Sequence, residues 1–239
     1  MSRNFELLSH LEAELPIEST VAGDVPAAAR PADPVGHNGI SQEFVTLAQT
    51  IFRSGDANAP HEVVLCGVDD DSRSSEICIN LGRALATYSD RPVCLIDANP
   101  RSARLEKLLN AGRLILHPDP EKDLCRYIEP NLWLAELDAP DSQKGAGLAS
   151  TQQVKKRLAA LRTRFDFILM DAPGANIQGD ASVLGQLSDG AILIIEANST
   201  RKAAALKAKQ SLQAGNVRIL GSVLNNRTFP IPERLYRKL

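Results

Sequence analysis

Several features that define common functional classes are absent from this 239-residue chain. The four cysteines, at positions 66, 78, 94 and 125, show no C-x-x-C or other metal-binding spacing, and the four histidines are scattered. Neither residue type therefore predicts a metal site. No apolar run approaches the about 20 residues of a membrane span, and the N-terminus lacks the pattern of a signal peptide. A net charge of −2 does not indicate a chain that binds nucleic acid over its whole surface. We expect a cytoplasmic protein without direct membrane insertion.

The chain divides into three segments. In residues 1–15, Phe5, Leu8, Leu11 and Leu15 lie along one helical stripe, which predicts an amphipathic helix. Residues 16–37 contain four prolines and no aromatic residue, a composition typical of a disordered linker. The helix is therefore predicted to be tethered, and it either docks on a partner or folds back on the remaining domain, residues 38–239.

Within that domain, strand-like and helical stretches alternate. A helix is predicted over 41–52, with Ser41 as its N-cap. The predicted strands are 62–67, 92–97, 131–137, 166–171, 190–196 and 217–224. The helices between them are 74–88, 101–110, 151–164, 180–187 and 200–213. Several strands are nearly continuous apolar runs, as in a parallel sheet covered on both faces. The pattern predicts an α/β fold: a doubly wound, mostly parallel sheet with helices on both faces.

The turn after the strand at 62–67 follows the phosphate-binding pattern G-x-x-x-x-G-K-[ST] only in part. Gly67 keeps the first glycine, and Ser74, followed by Ser75, keeps the magnesium-binding hydroxyl. Ser72 replaces the second glycine and Arg73 replaces the lysine. The positions before them are acidic: Asp69, Asp70 and Asp71.

These replacements oppose phosphate binding. A serine in a left-handed conformation costs about 1–2 kcal/mol. A carboxylate about 5 Å from a phosphate charge repels it by roughly 3 kcal/mol at an effective dielectric near 20. Micromolar affinity corresponds to only about 8 kcal/mol. Two interpretations of this turn remain open. It is either a plain strand–helix turn in a fold that no longer binds ATP, or a site of weak or altered nucleotide binding.

Two predicted strands end in an aspartate. Asp97 closes the run CLID and Asp171 closes the run ILMD. Ligands of open α/β sheets lie at the carboxyl ends of the strands, and an aspartate beside a phosphate-binding loop holds magnesium directly or through water. Ser74, Asp97 and Asp171 therefore form the candidate magnesium site, and the two aspartates are the candidate catalytic positions.

Several motifs together resemble the bacterial tyrosine kinase (BY-kinase) family of polysaccharide biosynthesis, within the Min/Par-type deviant-Walker ATPases. The resemblance covers about residues 38–239. LIDANPRSARLEKLL (95–109) resembles the second Walker-like motif, FDFILMDAPG (165–174) resembles Walker B, and LGSVLNN (220–226) resembles the segment whose asparagine faces adenine. The resemblance thus implies a P-loop fold, ATP or ADP with magnesium, and Asn225 and Asn226 as nucleotide contacts.

The departures from the family pattern are systematic. Besides the loop, Asn99 stands where the second motif has an aspartate. A family helix carries Glu-x-x-Arg-x-x-Arg, whose arginines build a ring between subunits; here those positions are Gln42, Val45 and Ala48. Active members end in a tyrosine cluster, whereas this chain ends with Tyr236 alone. We expect no octameric ring of the family type.

Three functions follow from the resemblance and its departures. The first is a pseudo-kinase that binds no nucleotide cofactor and acts as a regulatory module in exopolysaccharide or capsule biosynthesis and export. The second is a weakly active ATP-binding tyrosine autokinase or ATPase of the same pathway. The third is a Min/Par-like positioning protein. The partner implied is the cytoplasmic part of a polysaccharide co-polymerase, which would recruit the chain to the inner face of the membrane, or a kinase paralogue; no nucleic acid is expected.

Overall fold

The fold is described from a computed structural model for residues 40–52, 58–69, 73–99, 104–111, 117–118, 125–137, 151–177 and 179–227. The predicted helix at 1–15 and linker at 16–37 lie outside these ranges, as do Asp70, Asp71 and Ser72. Within them, no helix is both long and apolar enough to cross a membrane.

One sheet of eight strands organises the described residues. The strands are β1 Glu62–Gly67, β2 Val93–Asp97, β3 His117–Pro118, β4 Cys125–Glu129, β5 Leu132–Glu136, β6 Phe167–Ala172, β7 Gly190–Glu196 and β8 Ile219–Asn225. Their order across the sheet is β3-β4-β5-β2-β6-β1-β7-β8. β4 runs antiparallel to both of its neighbours, whereas the other described pairs are parallel. The predicted doubly wound, mostly parallel sheet is confirmed.

Six described helices cover the sheet on both faces. They are α1 Gln42–Ile51, α2 Ser74–Ser89, α3 Arg104–Ala111, α4 Thr151–Arg162, α5 Asp180–Gln186 and α6 Lys202–Ala214. Buried side chains of α1, α2 and α3 form one core with one face of the strands. Those of α4, α5 and α6 form a second core on the opposite face. β1, which leads into the candidate phosphate-binding loop, is buried on both faces of the sheet.

The helix predicted over 41–52 is present as α1, and the Ser41 hydroxyl accepts a hydrogen bond from the Glu43 N–H at its start. Gln42 is exposed, but Val45 is only partly exposed and Ala48 is fully buried. Of the two positions where the family motif has ring arginines, Ala48 therefore packs within the domain. Helical spacing places that position on the side of α1 that packs into the core.

The hairpin of β4 and β5 was only half predicted. A strand was predicted at 131–137 but none at 125–129. Cys125 and Ile128 are buried there, and Asn131 closes the turn to β5 with a φ of +61°. Asparagine tolerates this left-handed conformation better than most residues do, so the turn signal was present in the sequence.

Close packing fixes the height of α2 over the sheet. Gly82 faces β2, and a methyl group added at its Cα would lie 2.6 Å from Leu95 Cδ2 and 3.3 Å from Leu132 Cδ1. The glycine therefore lets the helix backbone approach the strands. Because α2 begins at Ser74, its position relative to β1, β2 and β6 also sets the position of the candidate site.

Candidate functional site

The candidate site lies where β1, β2 and β6 end and α2 begins. β1 ends at Gly67 and α2 starts at Ser74, so the strand, turn and helix have the order of a phosphate-binding loop. Asp69 is exposed and accepts a hydrogen bond of 3.4 Å from the Asn176 side-chain amide. Of the substituted loop positions, Asp69 and Arg73 are described.

A buried carboxylate anchors the start of α2. Asp171 is 1% exposed. Its Oδ1 accepts a hydrogen bond of 3.0 Å from the Ser74 hydroxyl, and its Oδ2 accepts a second bond from the Ser75 hydroxyl. Burial raises the pKa of Asp171 from 3.8 to about 7, against the opposing effects of the two serine bonds and of Arg104. Burial therefore favours the protonated form of this carboxyl group over a wider pH range than in an exposed aspartate.

Asp97 lies beside Asp171 in the sheet. The two residues are paired in the parallel register of β2 and β6, so their side chains leave the same face of the sheet, the one that α2 covers. The Asp97 carboxylate accepts 3.2 Å hydrogen bonds from the backbone N–H groups of Asn99 and Leu105, which tie it to the start of α3. Burial raises the pKa of Asp97, while these backbone bonds partly counter the shift.

The structure thus brings together the three residues predicted for the magnesium site, with Ser75 beside them; we call these four residues the magnesium side. Ser74, Ser75 and Asp171 are joined by hydrogen bonds, and Asp97 is the strand neighbour of Asp171. Carboxylate and hydroxyl oxygens suit Mg²⁺, which commonly binds through one or two carboxylates and keeps several waters. Within the described residues, no group of three or more His, Cys, Asp or Glu side chains is placed to hold a metal by itself. These residues fit a magnesium ion only where phosphate or water supplies the other ligands.

The phosphate side of the site does not fit a nucleotide as well. Arg73 is the only cationic residue from Val68 to Ser75. Its guanidinium lies 3.8 Å from the carboxylate of Glu76, one turn along the start of α2. The charge that would meet phosphate is therefore partly compensated by a carboxylate of the same helix, and Asp69 adds negative charge to the same turn.

The predicted nucleotide contacts at the end of β8 are held by a neighbouring strand. The Asn225 side-chain amide donates a 3.0 Å hydrogen bond to one oxygen of Glu196, at the end of β7, and the Asn226 amide donates to the other oxygen. Oδ1 of Asn225 is buried without a hydrogen-bond partner in the described structure. Both asparagines thus lie at the same edge of the sheet as the aspartates, and the side-chain amide of each already donates one hydrogen bond to Glu196.

Two residues that matter here were missed from the sequence. Glu196 ends the apolar run of β7, as Asp97 and Asp171 end theirs, so the same strand-end pattern would have identified it. Arg104 begins α3 and lowers the pKa of Asp171 electrostatically. No motif marks Arg104, because its proximity to Asp171 depends on how α3 packs beside β2.

Comparison with known proteins identifies relatives that share most of this chain. No family model matches it. The chain is 30% identical to the tyrosine-protein kinase YwqD of Bacillus subtilis over 194 residues, which cover 78% of this chain and 81% of the relative. It is also 30% identical to the tyrosine-protein kinase CpsD of Streptococcus pneumoniae serotype 4 over 190 residues, covering 76% and 82% respectively.

Solved structures agree in fold. The kinase domain of VpsO superposes with a TM-score of 0.58 at 24% identity, over 77% of this chain and 93% of that domain. The cell-division protein MinD of Aquifex aeolicus gives a TM-score of 0.55 at 18% identity, over 74% and 73%. At these identities the structural likeness establishes the P-loop fold, and the sequence identity to YwqD and CpsD establishes the kinship. The chain belongs to the bacterial tyrosine-protein kinase family.

Proposed function

We propose that this chain is a degenerate member of the family, a pseudo-kinase that serves exopolysaccharide or capsule biosynthesis and export as a binding and regulatory module. The observation that carries the proposal is the charge of the phosphate-binding turn. Three aspartates precede its single cation, Arg73, and the guanidinium of that arginine lies 3.8 Å from Glu76.

The energies favour loss of nucleotide binding. Each loop carboxylate at about 5 Å from a phosphate charge contributes roughly 3 kcal/mol of repulsion, so two of them offset most of the about 8 kcal/mol of a micromolar complex. Arginine retains a positive charge, but its planar fork does not replace the compact ammonium of a lysine between two phosphates. The substitutions oppose binding together, whereas a single neutral change would not.

Calorimetric titration of the full chain with Mg²⁺ and ATP or ADP tests this proposal. We expect no dissociation constant tighter than about 10 μM, which corresponds to about −7 kcal/mol. The matched variant replaces Asp69, Asp70, Asp71 and Ser72 with glycine and Arg73 with lysine, and it should gain measurable affinity because Ser74 and Asp171 remain in place. Tight binding by the unaltered chain would overturn the pseudo-kinase proposal.

One observation favours a second function, a weakly active ATP-dependent tyrosine autokinase. Most of the magnesium side is kept, since Ser74, Ser75, Asp97 and Asp171 all lie together, although Asn99 replaces an aspartate of the family motif. Incubation with Mg²⁺ and ATP, followed by mass spectrometry of tyrosine-containing peptides, separates the two functions. Phosphotyrosine that disappears in Asp171→Asn would support the kinase, and its absence in both proteins would support the pseudo-kinase.

The proposed partner is the cytoplasmic part of a polysaccharide co-polymerase, bound through the amphipathic segment at residues 1–15. Its charged residues, Arg3, Glu6, Glu12 and Glu14, are net acidic, which disfavours adsorption of this segment to anionic lipid. A helix of about 13 residues is marginal alone in water and gains stability in a partner's groove. Deleting residues 1–36 should abolish co-purification of the chain with the co-polymerase and leave the melting temperature nearly unchanged. A much lower melting temperature would show instead that the segment belongs to the domain.

We also propose that the oligomeric state of this chain differs from the octameric ring of the family. Val45 and Ala48 occupy the positions of the ring arginines, and Ala48 is buried within the domain. Light scattering of the purified chain should therefore give a monomer, or a dimer formed through another surface. An octamer-sized particle would contradict this part of the proposal.

A further inference from the structure

Two described segments contain basic residues and no acidic ones. Residues 151–165 contain five Lys and Arg residues, and residues 197–227 contain six. All 29 acidic residues of the chain therefore lie outside these two segments, although they hold eleven of its 27 basic residues. The small net charge of −2 conceals a marked separation of charge.

The fold places the helices of both segments, α4 and α6, on the same side of the sheet. Leu158 of α4 and Leu212 of α6 belong to the same buried core, so the outer surfaces of both helices point away from the same sheet face. The exposed basic residues on these helices and next to them are Lys155, Lys156, Arg164, Arg201, Lys202, Lys207 and Arg218; we call them the basic face. Arg162 is not included because its guanidinium bonds to Glu62.

The basic face also carries exposed apolar side chains. Leu206 is 40% exposed and lies on the outer side of α6, between Lys202 and Lys207 along the helix. Ile177 is 39% exposed, in the turn that precedes α5. The neighbouring Asn176 amide donates a 3.0 Å hydrogen bond to the Ala204 carbonyl, which attaches this turn to α6. Only Tyr88 is a further exposed large hydrophobic residue in the described ranges.

We propose that the basic face binds the surface of a bilayer containing anionic phospholipid. Each lysine or arginine side chain near such a surface raises the partitioning of the protein to the bilayer about fivefold. Exposed Leu206 and Ile177 would enter the boundary between headgroups and acyl chains, as apolar residues of interfacial helices do. No helix needs to cross the bilayer.

The composition of the face favours lipid over nucleic acid. Single-stranded nucleic acid is bound by aromatic side chains on which bases stack, and no aromatic side chain among the described residues of α4 or α6 is available for this. Duplex DNA would be attracted by the lysines but would gain nothing from exposed leucine and isoleucine. An apolar side chain flanked by lysines suits a surface that is charged outside and hydrocarbon within.

Co-sedimentation of the full chain with vesicles tests the proposal. One vesicle preparation is phosphatidylcholine alone and the other is a mixture of phosphatidylcholine and phosphatidylglycerol. We expect binding to the mixed vesicles only, weakened as salt rises from about 0.1 M to about 1 M and the Debye length falls from about 10 to about 3 Å. Binding to both preparations alike, or to neither, would overturn the proposal.

Two variants and a matched control locate the surface. Lys207→Glu should lower partitioning to the mixed vesicles at least about fivefold, and Leu206→Ser should lower it several-fold by removing apolar contact. Lys107→Glu makes the same charge change at an exposed position of α3, on the opposite side of the sheet, and should bind as the unaltered chain does. Equal losses for Lys207→Glu and Lys107→Glu would overturn the assignment to the basic face. Duplex DNA binding that Lys207→Glu weakens and Leu206→Ser does not, without vesicle binding, would assign the face to nucleic acid instead.

Discussion

The two sides of the candidate site differ in how their polar groups are used. On the magnesium side, Asp171 accepts bonds from Ser74 and Ser75, and Asp97 lies next to it in register. The nucleotide side comprises the phosphate-binding loop and the end of β8. In the loop, acidic residues precede Arg73, which lies near Glu76. At the end of β8, the side-chain amides of Asn225 and Asn226 donate hydrogen bonds to Glu196.

The difference follows from what each group does for folding. The residues of the magnesium side also join α2 and α3 to the ends of β2 and β6, so replacing them with side chains that cannot form these hydrogen bonds would disturb the domain. Of the described charged side chains of the loop, Asp69 is exposed and Arg73 is about one-third exposed, and neither belongs to the core. A chain that stops binding nucleotide can therefore lose the loop residues first and keep the acidic residues for the structural bonds they make.

The largest expected effect concerns the buried Asp171. Because its pKa is raised from 3.8 to about 7, the native state holds this proton more tightly than the unfolded chain does. Its contribution to stability is present below about pH 4 and is lost as the pH rises to about 7, a change of roughly 4 kcal/mol. Asp171→Asn should flatten this dependence and raise the free energy of unfolding at pH 8, as measured by denaturant titration across pH.

The matched control for this measurement is Asp90→Asn. Asp90 is exposed after the end of α2 with a φ of +52°, a conformation that asparagine also adopts readily. This control should leave the pH dependence of the unaltered chain in place. If Asp171→Asn and the control show the same pH dependence of the free energy of unfolding, that dependence does not come from the buried carboxyl group of Asp171.

An intermediate effect is expected at Glu196. Glu196→Ala leaves the amides of Asn225 and Asn226 without their carboxylate, and charge-assisted hydrogen bonds contribute about 1.5–3 kcal/mol to stability. We expect a loss of about 2 kcal/mol in denaturant unfolding. Glu196→Gln keeps one carbonyl acceptor and should lose about half as much. Equal stability of the unaltered chain, Glu196→Ala and Glu196→Gln would show that the hydrogen bonds of Glu196 do not stabilise the nucleotide side.

The smallest effect is expected at Arg73. Its contact with Glu76 is 3.8 Å long and both side chains are about one-third exposed, so the pair contributes little to stability. Arg73→Ala should change the free energy of unfolding by less than about 0.5 kcal/mol, as measured by the same titration. A loss above about 1 kcal/mol would mean that the loop, like the magnesium side, is maintained for folding.

The placement of Asp97 and Asp171 could be predicted from the sequence because it depends on a local pattern. An apolar strand ending in aspartate places that residue at the carboxyl edge of a parallel sheet, and this happened for both Asp97 and Asp171. The engagement of Asn225 and Asn226 by Glu196 depends on the pairing of β7 with β8, which no motif specifies. β4 was missed since its five residues alternate only weakly and follow a segment rich in charge and proline. The basic face requires knowing that α4 and α6 cover the same side of the sheet.

The contact of Gly82 with Leu95 has a consequence for how this lineage varies. A side chain at position 82 would lift α2 from β2 whether or not the neighbouring loop binds nucleotide. Selection on folding alone is thus enough to keep glycine there, while positions 69–73 are free to drift once catalysis is no longer selected. Among descendants of the same gene, the substitution rate at position 82 should stay low where the rate across the turn has risen.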